Sequence, residues 1–386
     1  MEFLTDINVD FLSKRRIGFT LSAALIILGL VFLGIHKGPN FGIDFRGGVK
    51  IQAKFNRAVT KVELNEKLKN LGYDIEKIQV DSGKQEASIQ LSYRPEFDSQ
   101  RVVVPLASDP GDSTATSIQI SSTEDKIHLF QSGDGILLID GENQTQNEIR
   151  DITTQDETVT FQLAKAVGTD LTQAAVIQIQ ASVGRILADS LMKGEGDWHA
   201  LPGGMNVTEV GPSVGKDLKW AALWSVLWSM IILLLYISWR FEFGFSVGAI
   251  TALIHDVLIT LGIFSLLGKE INLPTVAAFL TIIGYSLNDT IVVFDRIREN
   301  TKFLKGVDYA EILNRSINQS LSRTVITSLT TLFVVLVIFF MSSPGEEINT
   351  FALALIIGVI VGTYSSIFIA SPIVHMWHLR NQQRAA

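Results

Sequence analysis

An aspartate and an asparagine stand side by side at the end of a long apolar run. Asn288 and Asp289 lie in Gly284-Tyr285-Ser286-Leu287-Asn288-Asp289-Thr290, directly after the apolar stretch 273–283. Inside a membrane-spanning helix an ionised carboxylate costs at least about 2.5–3.5 kcal/mol on insertion scales, so it is kept there for a task or with a partner. The residue types allow two readings. Ser286, Asn288 and Thr290 can hydrogen-bond between helices, with Asp289 paired or protonated, as polar glue. Alternatively, Asp289 takes up and releases a proton and so couples ion flow to motion. A second ionisable pair, His255-Asp256, sits near the middle of another apolar run, 243–267. Its cost points to function, but a mutual or cross-helix hydrogen bond explains it as well. Arg323, in Ser322-Arg323-Thr324, opens a further apolar run. It reads as a basic residue snorkelling to the membrane face, or as a cation presented to Asp289 from a neighbouring helix at similar depth. Such a pairing, made and broken, is the chemistry of a proton switch.

Other spacings point to packing. Gly244-Phe245-Ser246-Val247-Gly248 has the letters of a nucleophile elbow. That elbow needs a strand-to-helix turn, whereas this stretch opens a membrane helix, where small residues let helices approach. Gly358 and Gly362 have the same meaning. No second histidine stands at zinc spacing from His255, so no metal site is expected. There are no cysteines, which excludes disulfides and thiol catalysis. There is no P-loop. The chain is expected to be no enzyme and to bind no cofactor, protons being the coupling ion.

The elements that position these groups are membrane helices. Of the 386 residues, 47% are hydrophobic, and the mean hydropathy is positive. This fits a mixed membrane and aqueous protein. The net charge of −7, with no basic domain, argues against nucleic-acid binding. Six apolar runs are long enough to span a bilayer: 17–36, 219–239, 243–267, 272–294, 325–341 and 350–375. The first follows Lys14-Arg15-Arg16 and lacks a small-residue cleavage site, so it reads as an uncleaved span. Residues 1–16, the connection 295–324 and the tail 376–386 carry most of the loop lysines and arginines, which puts both termini in the cytoplasm. The loops around Lys269-Glu270 and Glu346-Glu347 then lie outside.

The region 37–218 is the large polar domain on the far side of the membrane. Val49, Ile51, Ala53 and Phe55 alternate with Lys50, Gln52 and Lys54, as in a half-buried strand. Thr60 and Glu63 have capping-box spacing ahead of a helix carrying Val62, Leu64, Leu68 and Leu71. Residues 75–80 and 87–91 read as strands. Residues 179–191 have helical spacing, although 176–180 also alternates like a strand, and 207–210 is a last short strand. Without its middle, this is the β-α-β-β-α-β order of a ferredoxin-like domain. The middle, about 94–172, reads as a β-rich insertion with short strands at 101–106, 117–121, 126–130, 136–139 and 158–163, separated by polar turns. The fold class is thus an α-helical membrane protein. Six transmembrane helices carry a large α+β ferredoxin-like domain between the first and second, with a β-rich insertion.

Phe41-Gly42-Ile43-Asp44-Phe45-Arg46-Gly47-Gly48 resembles the signature that follows the first span in the SecF family of bacterial Sec translocase subunits. The signature residues are Gly42, Asp44, Gly47 and Gly48. Gly211-Pro212-Ser213-Val214-Gly215, Ala252-Leu253-Ile254-His255-Asp256-Val257, the stretch 284–300, Ser322-Arg323-Thr324 and Thr327-Ser328-Leu329-Thr330-Thr331 are similar to that family too. The resemblance implies an inner-membrane subunit of the efflux-transporter (RND) type. It would work with SecD, SecYEG and YajC and use the proton motive force to draw unfolded preprotein out of the channel. It implies Asp289 and Arg323 as the proton-linked residues, with membrane lipid around the helices. Two features depart from the family: Arg46 stands where threonine is frequent, and the insertion enlarges the polar domain. A proton-driven small-molecule exporter and a non-conducting scaffold of the translocon are the alternative readings.

Overall fold

The computed structural model describes residues 9–70, 75–92, 101–106, 114–121, 129–132, 134–140, 143–155, 158–167, 175–180, 183–193 and 197–385. The chain forms two units, Met1–Gly47 with Pro212–Ala386, and Gly48–Gly211. The first unit begins with helix α1 (Arg15–Ile35) and the single turn α2 (Ile43–Arg46). Gly47 follows at φ 79° and Gly48 at φ 139°, in the left-handed region where residues with a Cβ are disfavoured.

The second unit holds β1 (Gly48–Phe55), α3 (Lys61–Asn70), β2 (Ile75–Asp81), β3 (Glu86–Ser92), β4 (Arg101–Pro105), β5 (Ser117–Ser121), β6 (Gly135–Asp140), β7 (Asn143–Gln155), β8 (Thr158–Leu163), β9 (Val176–Gln180), α4 (Val183–Lys193) and β10 (Ala200–Val210). One sheet runs β10-β1-β3-β2 with all neighbours antiparallel. This is the strand order of a ferredoxin-like split β-α-β arrangement. Val49, Ile51 and Ala53 face Leu91, Ile89 and Ala87 across β1 and β3. They pack with Leu64, Leu68, Leu187 and Leu191 into one core. The capping box forms: Thr60 N–H donates to Glu63 Oε2 at 2.7 Å, and Glu63 N–H to Thr60 Oγ1 at 3.3 Å. Val62, expected on the buried face of α3, is exposed. It lies about 200° around the helix from Leu64. Leu71, expected beside it, lies outside the described residues.

The insertion is a second antiparallel sheet, ordered β4-β9-β6-β7-β8-β5, around Val104, Ile118, Ile120, Leu138, Phe161 and Ile177. It reaches Gln180 because β9 lies between β4 and β6. Ile179 is therefore in a strand, and the helix starts at Val183. The strand expected at 126–130 falls mostly outside the described residues; Leu129 and Phe130 lie in a buried turn. The longest strand of this sheet, β7, was not expected at all. Its sequence is polar, with only Asn147 and Ile149 buried, and the ladders to β6 and β8 hold it. Arg185 of α4 ties the two sheets together through Asp134, at 2.7 Å.

The first unit resumes with α5 (Pro212–Arg240), α6 (Phe243–Leu266), α7 (Leu273–Phe303), α8 (Tyr309–Met341) and α9 (Glu347–Ser365). A π turn, Ser366–Ala370, then leads into α10 (Ser371–Ala385). With α1, these make six helices long and apolar enough to cross a membrane among the described residues. The connection expected at 295–324 is not a loop. α7 and α8 continue through it, leaving only 304–308 between them. At about 1.5 Å per residue, helices of this length overshoot a hydrocarbon layer of about 30 Å, so their charged ends stand in the polar zone. The tail 376–386 is likewise largely helical. α6, α7 and α9 form the buried centre, and α1, α5 and α8 lie outside them. Gly29 of α1 meets Gly262 of α6 so closely that a Cβ on Gly29 would come within 2.6 Å of the Gly262 Cα. Gly358 and Gly362 of α9 pack against Ile282 and Ser286 of α7, which accounts for their spacing. The segment before α1 is fastened at Val9 and Leu12. Val9 N–H donates to Asn318 Oδ1 at 3.0 Å, and the Asn318 amide returns a bond to Val9 O at 2.9 Å. Leu12 N–H donates to Asn314 Oδ1 at 3.0 Å.

Candidate functional site

Two aspartates of the central helices, Asp256 and Asp289, are buried among hydroxyl groups. Asp256 is 1% exposed and His255 5%. His255 Nδ1 lies 2.8 Å from Asp256 Oδ1, and His255 Nε2 lies 2.9 Å from the hydroxyl of Ser22 on α1. The other Asp256 oxygen accepts from Ser286 of α7 at 2.5 Å and from Ser365 of α9 at 2.8 Å. Three helices, α6, α7 and α9, therefore converge on one carboxylate, and α1 reaches it through His255. Ser22 in turn lies 3.2 Å from the Tyr364 hydroxyl, which donates to Gly18 O at 2.7 Å.

Asp289 occupies a separate position on α7, 6% exposed. Its Oδ2 accepts from Ser366 Oγ at 2.6 Å. Thr324 of α8 stands across from it, with a buried hydroxyl that has no close hydrogen-bond partner. The expected ion pair with Arg323 is not formed: Arg323 is exposed, and no ion pair joins the two among the described residues. The reason is helical geometry. Successive residues are about 100° apart, so turning Thr324 inward toward Asp289 turns Arg323 out. The same rule removes Asn288, which is exposed while Asp289 is buried. Thr290 is buried and bonds back to Ser286 O at 2.9 Å.

Ser366 suits a titrating acid. Its hydroxyl is within reach of two acceptors, Asp289 Oδ2 at 2.6 Å and Thr363 O at 3.0 Å. With Asp289 ionised, the hydroxyl donates to the carboxylate. With Asp289 protonated, the acid donates to Ser366 Oγ and the serine proton turns to Thr363 O. Both charge states keep their hydrogen bonds without heavy atoms moving, which removes the penalty of an unsatisfied buried group. Ser22, Tyr364, Ser365 and Ser366 were missed in the sequence, because serines in membrane helices usually serve as helix glue. Two adjacent serines inside an apolar run were the one available signal.

The signature after the first span acts at the end of α7. Asp44 Oδ2 accepts from Leu273 N–H at 2.8 Å, and Asn272 Oδ1 accepts from Thr275 N–H at 2.9 Å. Both anchor the N-terminus of the helix that carries Asp289, where unpaired N–H groups and the helix dipole favour an acid. Gly42 N–H donates to Ile271 O at 2.8 Å, and Ile271 N–H to Asn40 O at 2.7 Å. Gly215 lets α5 reach this turn: a Cβ there would stand 3.1 Å from Gly47 N. Arg46 bonds Phe41 O and Asn40 Oδ1 within the same turn.

Six apolar helices with two buried aspartates, and a β-rich unit between the first and the second, define a multi-pass membrane protein. Residues 203–380 match the family described as "Protein export membrane protein SecD/SecF, C-terminal", and 32–59 match the "SecD/SecF GG Motif". The chain is 36% identical over 373 residues to the protein translocase subunit SecF of Calditerrivibrio nitroreducens, covering 96% of this chain and 94% of that one. It is also 36% identical over 379 residues to the SecF of Thermodesulfovibrio yellowstonii, covering 97% and 96%. A crystal structure of SecDF from Thermus thermophilus, a translocon-associated membrane protein, matches with a TM-score of 0.63 at 30% identity. That match covers 97% of this chain and 39% of the longer SecDF chain. The chain belongs to the SecF family of protein translocase subunits.

Proposed function

We propose that this chain is the SecF-type half of a proton-driven accessory unit of the Sec protein-export machinery. It pairs with SecD and promotes movement of unfolded preprotein through SecYEG, with YajC as a further associate. It sits in the bacterial inner membrane with both termini in the cytoplasm and the large domain in the periplasm. One observation carries the proton reading: Asp289 is buried in a membrane helix against a hydroxyl, not a cation, and that hydroxyl can serve either charge state. One proton moving through 100 mV releases about 2.3 kcal/mol, enough to bias a two-state motion. Arg323 and Asn288 are exposed on α8 and α7. Polar groups at such positions fit a protein partner better than lipid, which supports a second membrane subunit. Arg323 is then offered to that partner, or to Asp289 at another stage of the cycle.

The test is translocation into inverted vesicles with and without an uncoupler. Asp289→Asn keeps size and hydrogen bonding but cannot titrate. It should insert and retain SecD, yet lose the gradient-stimulated part of export; Asp289→Glu should keep some of it. Full uncoupler-sensitive export by Asp289→Asn vesicles at wild-type protein levels overturns the reading. The same vesicles separate this function from that of a passive scaffold, which would tolerate the neutral amide.

A further inference from the structure

Among the described residues the His255–Asp256 pair makes no hydrogen bond to Asp289, and it is built differently. Asp256 has three partners on its two oxygens, from α6, α7 and α9. The imidazole is placed between this carboxylate and the Ser22 hydroxyl, and it stacks 6.1 Å from the Tyr364 ring. The titratable groups facing it are Asp256 on its own helix and Tyr364 from α9. α1 contributes the hydroxyl of Ser22, and α7 contributes Ser286 on the far side of Asp256. Asp289 stands beyond Ser365 and Ser366.

The hydrogen-bond directions close in two ways on the same heavy atoms. With His255 neutral, Nδ1–H donates to Asp256 Oδ1 and Nε2 accepts from Ser22. With His255 doubly protonated, Nε2–H donates to Ser22 Oγ, the Ser22 hydroxyl turns to Tyr364 Oη, and Tyr364 still donates to Gly18 O. Only one hydroxyl proton reorients. A structural histidine needs one of these arrangements; this site provides both, with a carboxylate in place to neutralise the imidazolium.

The geometry points to His255–Asp256 as a second proton-holding station of the membrane unit, with Ser22 as the positioning hydroxyl that follows its charge. The step is a simple gain of one proton from water. An N–H bond forms at the Nε2 lone pair, hydronium returns to water, and nothing is oxidised or reduced. This inference rests on the reading of the chain as proton-driven, and deepens it.

The test uses the full-length chain with its membrane partner in lipid nanodiscs, labelled with 15N histidine. The His255 signal is assigned by its loss in His255→Gln. Nitrogen shifts distinguish the Nδ1–H tautomer from the doubly protonated ring. The wild-type signal should pass from one to the other on acidification from about pH 8 to about pH 5. Asp256→Asn should keep the ring neutral throughout that range, and Ser22→Ala should move the midpoint. The signals of the other histidines, unchanged, show that each variant is folded. In inverted vesicles His255→Gln and Asp256→Asn should lose gradient-stimulated export with Asp289 intact. A ring that stays neutral down to about pH 5 in the wild type, or full gradient-stimulated export by folded His255→Gln protein, overturns the inference. If His255→Gln keeps export while Asp289→Asn loses it, the second station falls alone. If the reverse holds, Asp289 loses its role and the second station stands.

Discussion

Ser365 and Ser366 are neighbours in sequence but serve different acids: Ser365 donates to Asp256 at 2.8 Å and Ser366 to Asp289 at 2.6 Å. The division falls where α9 passes into the π turn Ser366–Ala370. Ser371 Oγ donates to Ser366 O at 2.9 Å, supporting the wider turn from within. Turns of this kind concentrate at functional sites because they re-aim side chains within a helix.

Ser366→Ala removes the donor to Asp289 and leaves a buried carboxylate without it. Hydrogen bonds to charged groups contribute about 1.5–3 kcal/mol and neutral ones about 0.5–1.5, so losing both should disfavour ionised Asp289 by roughly tenfold. Gradient-stimulated export should fall steeply while SecD retention is unchanged. Ser366→Thr, which keeps the hydroxyl, should recover part of it. Equal loss in both variants would show that size, not the hydroxyl, matters at this position.

Asp44→Ala should lower the thermal stability of the membrane unit. It removes an acceptor and a negative charge from the N-terminus of α7, worth about 1–2 kcal/mol together. Asp44→Asn should recover the hydrogen-bond part of this. A melting curve of purified protein in detergent reads the difference, and an unchanged curve for the alanine variant would remove Asp44 from the cap.

The cysteine-free chain permits a direct topology test. Lys84, Pro344 and Gly306 are exposed. Cysteines at Lys84 and Pro344 should react with an impermeant thiol reagent added to intact spheroplasts, and a cysteine at Gly306 should not. Labelling of position 306 from outside would reverse the proposed orientation.

In the β domain, Arg57 lies 2.7 Å from Glu63, and Thr60 donates to the same carboxylate. These contacts, the Arg57 bond first, hold Glu63 down at about 2, against an ordinary value of 4.5. The folded value is the depressed one, so this contribution is fully present above about pH 4.5 and is lost as the pH falls toward 2. Hydrogen-exchange protection of α3 in the full chain should therefore drop across that window. Glu63→Gln should flatten the dependence; an unaltered pH profile would argue against the capping box as its source.

Deleting 93–182 should leave a folded β10-β1-β3-β2 sheet, because its core around Ile51, Leu64, Ile89 and Leu187 is separate from that of the insertion. Stopping the deletion at 172 should do worse, since it strands β9 without β4 or β6. SecD retention and protease resistance of the membrane-inserted variant read the outcome.

Much of the fold was legible because the signals are strong. Six long apolar runs identify the spans, and Thr60 with Glu63 identifies a helix start. β7 was not legible: its first half is held by the ladder to β6 and its second by the ladder to β8 with little apolar pattern, and Asn147 satisfies its buried amide on Lys165. At the site, the ionisable residues were visible by their cost in lipid, but their partners were not. The sequence carries no record of how each helix is rotated about its axis. That rotation buries Asp289 and Thr324 while exposing Asn288 and Arg323.

The clasp on Val9 and Leu12 has a consequence for the order of assembly. Val9 is bound by Asn318, 309 positions later, and Leu12 by Asn314, 302 positions later. At about 5–20 residues per second, these partners emerge roughly 15–60 s after the segment they hold. Val9 and Leu12 are therefore among the last described residues to reach their final place. α1 itself packs chiefly on α6, so it has its main helix partner before α8 arrives to hold Val9 and Leu12. Ribosome-bound chains stopped before residue 314 should leave the segment from Val9 to Leu12 open to protease, and full-length chains should protect it.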